Sequence, residues 1–351
     1  VVLQRYGAKK SVLKEDDFIN ASKMVESFFS KTPTVLDFNL TERFGRPVYL
    51  KLENLQATGS FKVRGAVNCM GNLTAEQKSR GVITCSSGNH GRAVAAVAEM
   101  LRIDATICVP DWIDPVKLDA MKASGADIVV GGTTYDEAEK MSLNLANQKT
   151  LTYVHPFDDK EVIAGQGTVG LEILSQIPDI GDICVPLSGG GLAGGVGWVM
   201  KRYSPSTNVI AVSAKKASVM WSSLQKGKPI QMPEQETIAN ALSGGIDLNN
   251  QHTFNLIHEK IDRHLLVDEK MIVKAMEYAM TDLHLVVEGG GAVALASVLG
   301  DLADTFQSSR ALVVVISGGN VAVDQLFRTS ELFGHRITEG SILSDEERKN
   351  K

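Results

Sequence analysis

The sequence predicts a parallel α/β fold, and three observations predict it. Short β-branched runs alternate with stretches of helical periodicity along most of the chain. Each run is closed by Gly, Ser or Pro before the next helical stretch begins. The runs are apolar at nearly every position instead of alternating, which is the pattern of strands covered by helices on both faces. In such sheets ligands collect where strand carboxyl ends meet helix amino ends, so function is expected in the loops that follow the strands.

The elements follow in order. The first forty residues read as a polar start and an amphipathic helix near Asp17 to Ser30, ended by Thr32-Pro33-Thr34. Strands are then expected at Val82 to Thr84, Ala105 to Val109, Asp127 to Val130, Asp182 to Val185, Val209 to Val212 and Ala311 to Ile316. A helix is expected over Ala93 to Met100. No internal repeat, low-complexity tract or Pro-rich linker interrupts them, and Glu339 to Lys351 form a charged tail without a core face.

Composition excludes several function classes. The 351 residues are 44% hydrophobic and 22% charged, a balance foreign to disordered or fibrous chains. The net charge of −5 argues against general affinity for nucleic acid or anionic membranes. Four cysteines, at 69, 85, 108 and 184, form no CxxC pair and sit in apolar runs, so buried reduced thiols and a cytoplasmic setting are expected. No apolar stretch reaches the roughly 18 residues of a membrane span, and Val1 to Glu15 lack a signal-like apolar core.

Four post-strand segments can carry chemistry. The densest glycine cluster, Ser188-Gly189-Gly190-Gly191-Leu192, follows the strand that ends near Val185. It reads either as a flexible turn or as a phosphate cradle built from converging amides and a helix amino end. It lacks the Lys-Ser/Thr ending of nucleoside triphosphate loops and the context of a dinucleotide fingerprint, so a smaller phosphorylated cofactor fits better. Lys62, in Gly59-Ser-Phe-Lys62, is either a solvated lysine or an amine held beside Phe61 with a depressed pKa, ready to condense with an aldehyde. Cradle and amine together point to pyridoxal phosphate. Cys85-Ser86-Ser87-Gly88-Asn89-His90-Gly91-Arg92 concentrates donors where a small carboxylate could dock, and Ser317-Gly-Gly-Asn320 follows the last strand. Taken singly, each of these two also reads as a helix cap or a turn.

Together these segments resemble the fold-type II pyridoxal phosphate enzymes related to the tryptophan synthase β chain, in the branch of serine racemases and threonine/serine dehydratases. The resemblance runs from about Thr32 to Val321 and rests on Lys51-Leu-Glu-Asn-Leu-Gln56 with Gly59-Ser-Phe-Lys62, Ser86-Ser-Gly-Asn-His90, Gly165-Gln-Gly-Thr168, Ser188 to Leu192, and Ser317-Gly-Gly-Asn320. It implies that Lys62 joins the cofactor aldehyde as a Schiff base and later serves as base. It implies that Ser188, Gly189, Gly190, Gly191 and Leu192 hold the phosphate, and that Phe61, Asn89, Glu288 and Ser317 surround the ring. Asn89 would contact the ring hydroxyl and Ser317 the pyridine nitrogen. Ser86, Ser87, Asn89 and His90 would receive the substrate carboxylate, and Ser87, across the substrate from Lys62, would reprotonate the opposite face if racemisation occurs.

The resemblance further implies two open twisted α/β domains: a large one of residues 1–80 plus 159–351, and a small one of residues 81–158 inserted into it and closing over the cofactor. The implied reaction is β-elimination from a small β-hydroxy amino acid, L-threonine or L-serine first, giving a 2-oxo acid and ammonia. Serine racemase is the near alternative, and 3-hydroxyaspartate or phenylserine stay open as substrates. A binding protein that lost turnover is the rival of a different class, opposed by the intact Lys62 and Ser317. A homodimer is implied by resemblance only. With only about thirty residues after Val321, feedback by isoleucine through an appended region is not expected.

Departures from the pattern matter. Ser188 stands where a further glycine is usual, adding a hydroxyl that the phosphate could use. Gly289-Gly290-Gly291 follows Glu288 in place of Pro and a small residue, and Asn240-Ala241 replaces Asp-Gly, which leaves the exact substrate open. Metal-dependent relatives carry a Glu and, six residues on, an Asp where this chain has Ser213 and Val219, beside Lys215 and Lys216. Two carboxylates are missing and two ammonium groups are adjacent, so no divalent-metal site is expected, with a lysine standing in for the cation or simply solvated.

Overall fold

The apolar runs become the strands of two sheets in the computed structural model, which describes residues 13–326 except 112, 114, 123, 124, 301, 303, 304, 307 and 324. The strands are β1 (Thr34–Leu36), β2 (Val48–Leu52), β3 (Val82–Cys85), β4 (Ala105–Val109), β5 (Asp127–Val130), β6 (Thr152–Tyr153), β7 (Ile180–Pro186), β8 (Asn208–Ala214), β9 (Arg263–Val267) and β10 (Ala311–Ile316). One six-stranded sheet has the order β1-β2-β10-β7-β8-β9, and a four-stranded sheet has the order β5-β4-β3-β6. Every pairing is parallel except that of β1 with β2.

Strand β10 shows why its sequence is apolar throughout. Leu312, Val314 and Ile316 enter one core with Val293 and Leu295 of helix Gly289–Leu299. Ala311, Val313 and Val315 enter the opposite core with Ile173 of helix Lys160–Gln176 and Val196 of helix Gly191–Tyr203. Both faces are buried, so neither tolerates a polar residue. The smaller sheet is covered likewise: Val82 packs with Val94 and Val97 of helix Asn89–Leu101, and Ile83 with Cys108 and Ala146 on the other side.

All six expected strands are present, β3, β7 and β8 being longer than expected. Four further strands, β1, β2, β6 and β9, join them. The first helix spans Glu15–Glu26 and ends before Ser30, because the amides of Phe28 and Phe29 both turn back to the carbonyl of Val25 (3.1 and 2.8 Å) and Phe29 is drawn into the core beside Val63 and Val67. The helix expected over Ala93 to Met100 starts earlier, at Asn89, so its amino end lies at the Ser86–His90 segment. The charged tail and most of the polar start lie outside the described residues. All four cysteines are buried thiols, and burial pushes Cys108 up to about 11 and Cys184 up to about 12. Among the described residues no helix is long and apolar enough to cross a membrane.

Candidate active site

The carboxyl ends of β3, β7 and β10 open onto one cavity of about 400 Å³, within the size range of small-molecule sites. All the residues singled out from the sequence line it, although they come from chain segments far apart.

Lys62 is the first residue of helix Lys62–Gly71. Its approach loop is sewn to the loop after β10: the Phe61 amide donates to the Ser317 carbonyl at 3.1 Å, and the Gly319 amide donates to the Gly59 carbonyl at 2.9 Å. The Lys62 Nζ donates to the Pro156 carbonyl at 2.8 Å and lies 5.4 Å from the Phe61 ring centroid. Burial pulls its pKa from 10.5 down to about 8, against the opposing pull of the Glu288 carboxylate. Two residues on, Arg64 anchors the helix in a buried ionic cluster. Its guanidinium reaches Glu53 at 2.7 Å and Glu172 at 2.7 Å, and Lys51 Nζ reaches Glu172 at 2.6 Å. With Arg64 and Glu53 fully withdrawn from solvent, the charges hold one another, and through them β2, the Lys62 helix and helix Lys160–Gln176.

The glycine segment joins β7 to helix Gly191–Tyr203. Gly190 caps this helix with φ +94°, a left-handed conformation costly for residues with a Cβ. A Cβ on Gly189 would fall on the Phe157 ring. The segment therefore brings bare backbone to the cavity at a helix amino end, where the first amides lack intrahelical partners. Leu192 lies in the first turn. The Ser188 hydroxyl donates to the Leu242 carbonyl at 2.8 Å, so the hydroxyl expected to be available to a phosphate is spent on a loop carbonyl.

The segment after β3 contributes Ser86, Ser87, Asn89 and His90. The Gly88 amide donates to Ser86 Oγ at 3.2 Å. Asn89 is fixed from both sides: its Nδ2 donates to Glu288 Oε1 at 2.5 Å and its Oδ1 accepts from Asn320 Nδ2 at 2.8 Å. The ring of His90 is buried with Nε2 3.0 Å from the Val154 carbonyl, an arrangement that needs a proton on Nε2. Burial first, and the nearby Lys62 ammonium second, hold its pKa down to about 3, so the imidazole is neutral. Ser317 is 4% exposed, with Oγ 3.5 Å from the Gly290 carbonyl, at the limit of a hydrogen bond.

Several lining residues were not singled out as site residues from the sequence. Pro156 and Phe157 follow the two-residue strand β6, too short to be visible as a run. Asn320 and Gln166 sit inside recognised motifs, and their cavity positions could have been read from them. Arg92 closes the donor-rich segment after β3, though no role of its own was read from it, and Tyr135 carried no signal beyond proximity to a post-strand loop. Asn240, Ala241 and Gly290, the positions departing from the family pattern, also line the cavity.

The residues fit the expected cofactor. A partly neutral amine, a bare glycine turn at a helix amino end and a small hydroxyl after β10 share one cavity. Both amide atoms of Gln166 and the Nδ1 of His90 are buried there without a protein partner among the described residues, which is the state of a wall that expects a polar ligand. Where metal-dependent relatives place carboxylates, Ser213 Oγ donates to the Leu187 carbonyl at 2.8 Å and Val219 is buried. Lys215 faces Asp268 at 3.4 Å and Lys216 donates to the Glu236 carbonyl at 2.9 Å.

Comparison with known proteins agrees with this geometry. Residues 25–318 match the family described as pyridoxal-phosphate dependent enzymes. A catabolic L-threonine dehydratase of Staphylococcus aureus is 36% identical over 323 residues, 92% of each chain. An L-threonine ammonia-lyase of Geobacter sulfurreducens is 38% identical over 293 residues, covering 84% of this chain and 72% of its own length. The structure of maize serine racemase superposes with a TM-score of 0.84 at 33% identity, covering 92% of this chain and 99% of its own. The chain is a member of the pyridoxal-phosphate dependent enzyme family, with the two-sheet α/β architecture of its fold-type II branch.

Proposed function

We propose that the protein is a dehydratase, or ammonia-lyase, that converts a small β-hydroxy amino acid, L-threonine or L-serine or their dicarboxylic analogue 3-hydroxyaspartate, into the corresponding 2-oxo acid and ammonia. The observation that carries this reading is the placing of the Lys62 amine, with its lowered pKa, in the same cavity as the glycine turn and the Ser86–His90 segment. The dehydratase and ammonia-lyase relatives, similar over most of the chain, support it.

When bound, pyridoxal phosphate supplies an aldehyde for the substrate amine and an electron sink for the charge left at Cα. The residues of the chain do the rest. The glycine turn 188–192 holds the phosphate through backbone amides. Ser86, Ser87 and the amides at the amino end of helix Asn89–Leu101 take the substrate carboxylate. Asn89, locked between Glu288 and Asn320, presents a fixed carboxamide to the cofactor ring. Lys62 Nζ, neutral in a sizeable fraction near pH 8, accepts the α-proton. Ser317 offers the ring nitrogen a neutral partner, which leaves the negative charge at Cα weakly stabilised and favours prompt loss of the β-hydroxyl.

The small sheet and its helices, residues 81–158, act as a lid that excludes water. Ser87 serves the second outlet, racemisation, by delivering a proton opposite Lys62, and the resemblance to maize serine racemase favours keeping that outlet. The protein works in the cytoplasm as a homodimer. The test is a panel of L- and D-hydroxy amino acids assayed for both 2-oxo acid and enantiomer. Lys62→Ala should abolish both products and the coloured bound cofactor, whereas Ser87→Ala should suppress enantiomer formation more than elimination. A colourless wild-type protein, inert after incubation with pyridoxal phosphate, overturns the proposal.

A further inference from the structure

Arg92 lines the cavity from helix Asn89–Leu101 and is half-buried. Among the described residues its guanidinium makes no ion pair and no side-chain hydrogen bond. The three cations buried in the core among those residues are matched: Arg46 by Asp182 at 2.7 Å, Arg64 by Glu53 and Glu172, Lys51 by Glu172. The helix gains nothing from Arg92 either, since a cation near the amino end opposes the helix dipole. Arg92 follows Asn89 by three residues, a spacing that places both on one helix face, beside the segment that takes the substrate carboxylate. A cation left without a protein counter-ion at this place is matched by an anion that the ligand brings.

Under the reading above, which this inference deepens, two anionic groups are already provided for: the phosphate by the glycine turn and the α-carboxylate by the Ser86–His90 segment. The remaining anion belongs to the substrate side chain. We propose that Arg92 is a specificity-determining residue that selects β-hydroxy amino acids bearing a side-chain carboxylate, the class of 3-hydroxyaspartate. In that reaction the Cα–H bond breaks toward Lys62 and the Cβ–O bond breaks with the hydroxyl leaving as water. One water then hydrolyses the resulting imine, giving oxaloacetate and ammonia with no net oxidation.

The experiment compares kcat/KM for L-3-hydroxyaspartate, L-serine and L-threonine in wild type, Arg92→Gln and Arg92→Lys holoenzymes, with calorimetric binding of L-aspartate and L-alanine, which lack a β-hydroxyl to eliminate. Wild type should prefer the dicarboxylic substrate. Arg92→Gln should lower the ratio of 3-hydroxyaspartate to serine turnover by about 10- to 100-fold, the effect of losing a charge-assisted hydrogen bond, and Arg92→Lys should retain part of it. L-aspartate should bind wild type more tightly than L-alanine, and Arg92→Gln should erase the difference. An unchanged ratio, turnover of serine or threonine without 3-hydroxyaspartate, or an equal loss for every substrate overturns the inference and leaves the elimination reading standing. If no hydroxy amino acid yields a 2-oxo acid, the elimination reading fails, and the aspartate titrations alone decide the role of Arg92.

Discussion

The amide of Phe61 donates to the carbonyl of Ser317 at 3.1 Å, so the residue preceding Lys62, the proposed Schiff-base lysine, is tied to the residue proposed to meet the ring nitrogen. An antiparallel bridge between Ser60 and Gly318 extends this seam by one residue. The two groups proposed to meet the cofactor are thereby set relative to each other by backbone, independently of their side chains.

That seam makes the first prediction specific. Ser317→Ala removes the hydroxyl and keeps the carbonyl, so kcat/KM should fall by about tenfold, the worth of one hydrogen bond. The melting temperature should stay within a few degrees. A large drop in melting temperature would mean that the hydroxyl serves the fold and not the ring.

The lowered pKa of Lys62 sets a pH dependence. Below about 8 the amine of the cofactor-free protein is protonated and unreactive toward aldehydes, and above it the neutral form accumulates. Reductive labelling of Lys62, followed by peptide mass spectrometry, should be half-maximal near pH 8, whereas exposed lysines follow a midpoint near about 10.4. Because the folded-state value lies below the unfolded one, the charged amine also costs stability below pH 8. That cost is relieved as pH rises toward 10.5, and an unfolding titration should show stability rising across that window.

The buried ionic cluster predicts an asymmetric response to mutation. Arg64→Met leaves the carboxylates of Glu53 and Glu172 buried with only Lys51 to answer them, and should cost about 3–5 kcal/mol in urea unfolding. Surface pairs such as Arg80 with Glu76 should contribute less than about 1 kcal/mol.

Divalent cations should be irrelevant to this protein. The end of β8 carries Lys215 and Lys216, one facing Asp268 and the other holding the Glu236 carbonyl, and Ser213 is turned toward Leu187. Adding EDTA, magnesium or calcium should change turnover by less than about twofold, since hard cations need several oxygen ligands. A several-fold response in turnover or melting temperature would contradict this.

The legible parts of the fold were those with strong local signals. Strands such as β7 and β10, buried on both faces, are written as uninterrupted apolar runs. Strand β2 is not, because it carries Lys51, whose partner Glu172 lies 121 residues away and cannot be seen in the local pattern. Strands β1 and β6, three and two residues long, are below the length at which alternation means anything. At the site, the glycine turn and the Lys62 segment announce themselves through composition. The chain of hydrogen bonds from Glu288 through Asn89 to Asn320 does not, because it joins three loops that only tertiary folding brings together.

The position of β10 has a consequence for biosynthesis. It is the last strand among the described residues, yet it lies between β2 and β7 in the middle of the larger sheet. A nascent polypeptide emerging from the ribosome must hold a gap open between those neighbours until residue 316 is released, and vitamin B6 has no finished pocket to enter before then. Loading of the coenzyme therefore waits until β10 has taken its place between β2 and β7.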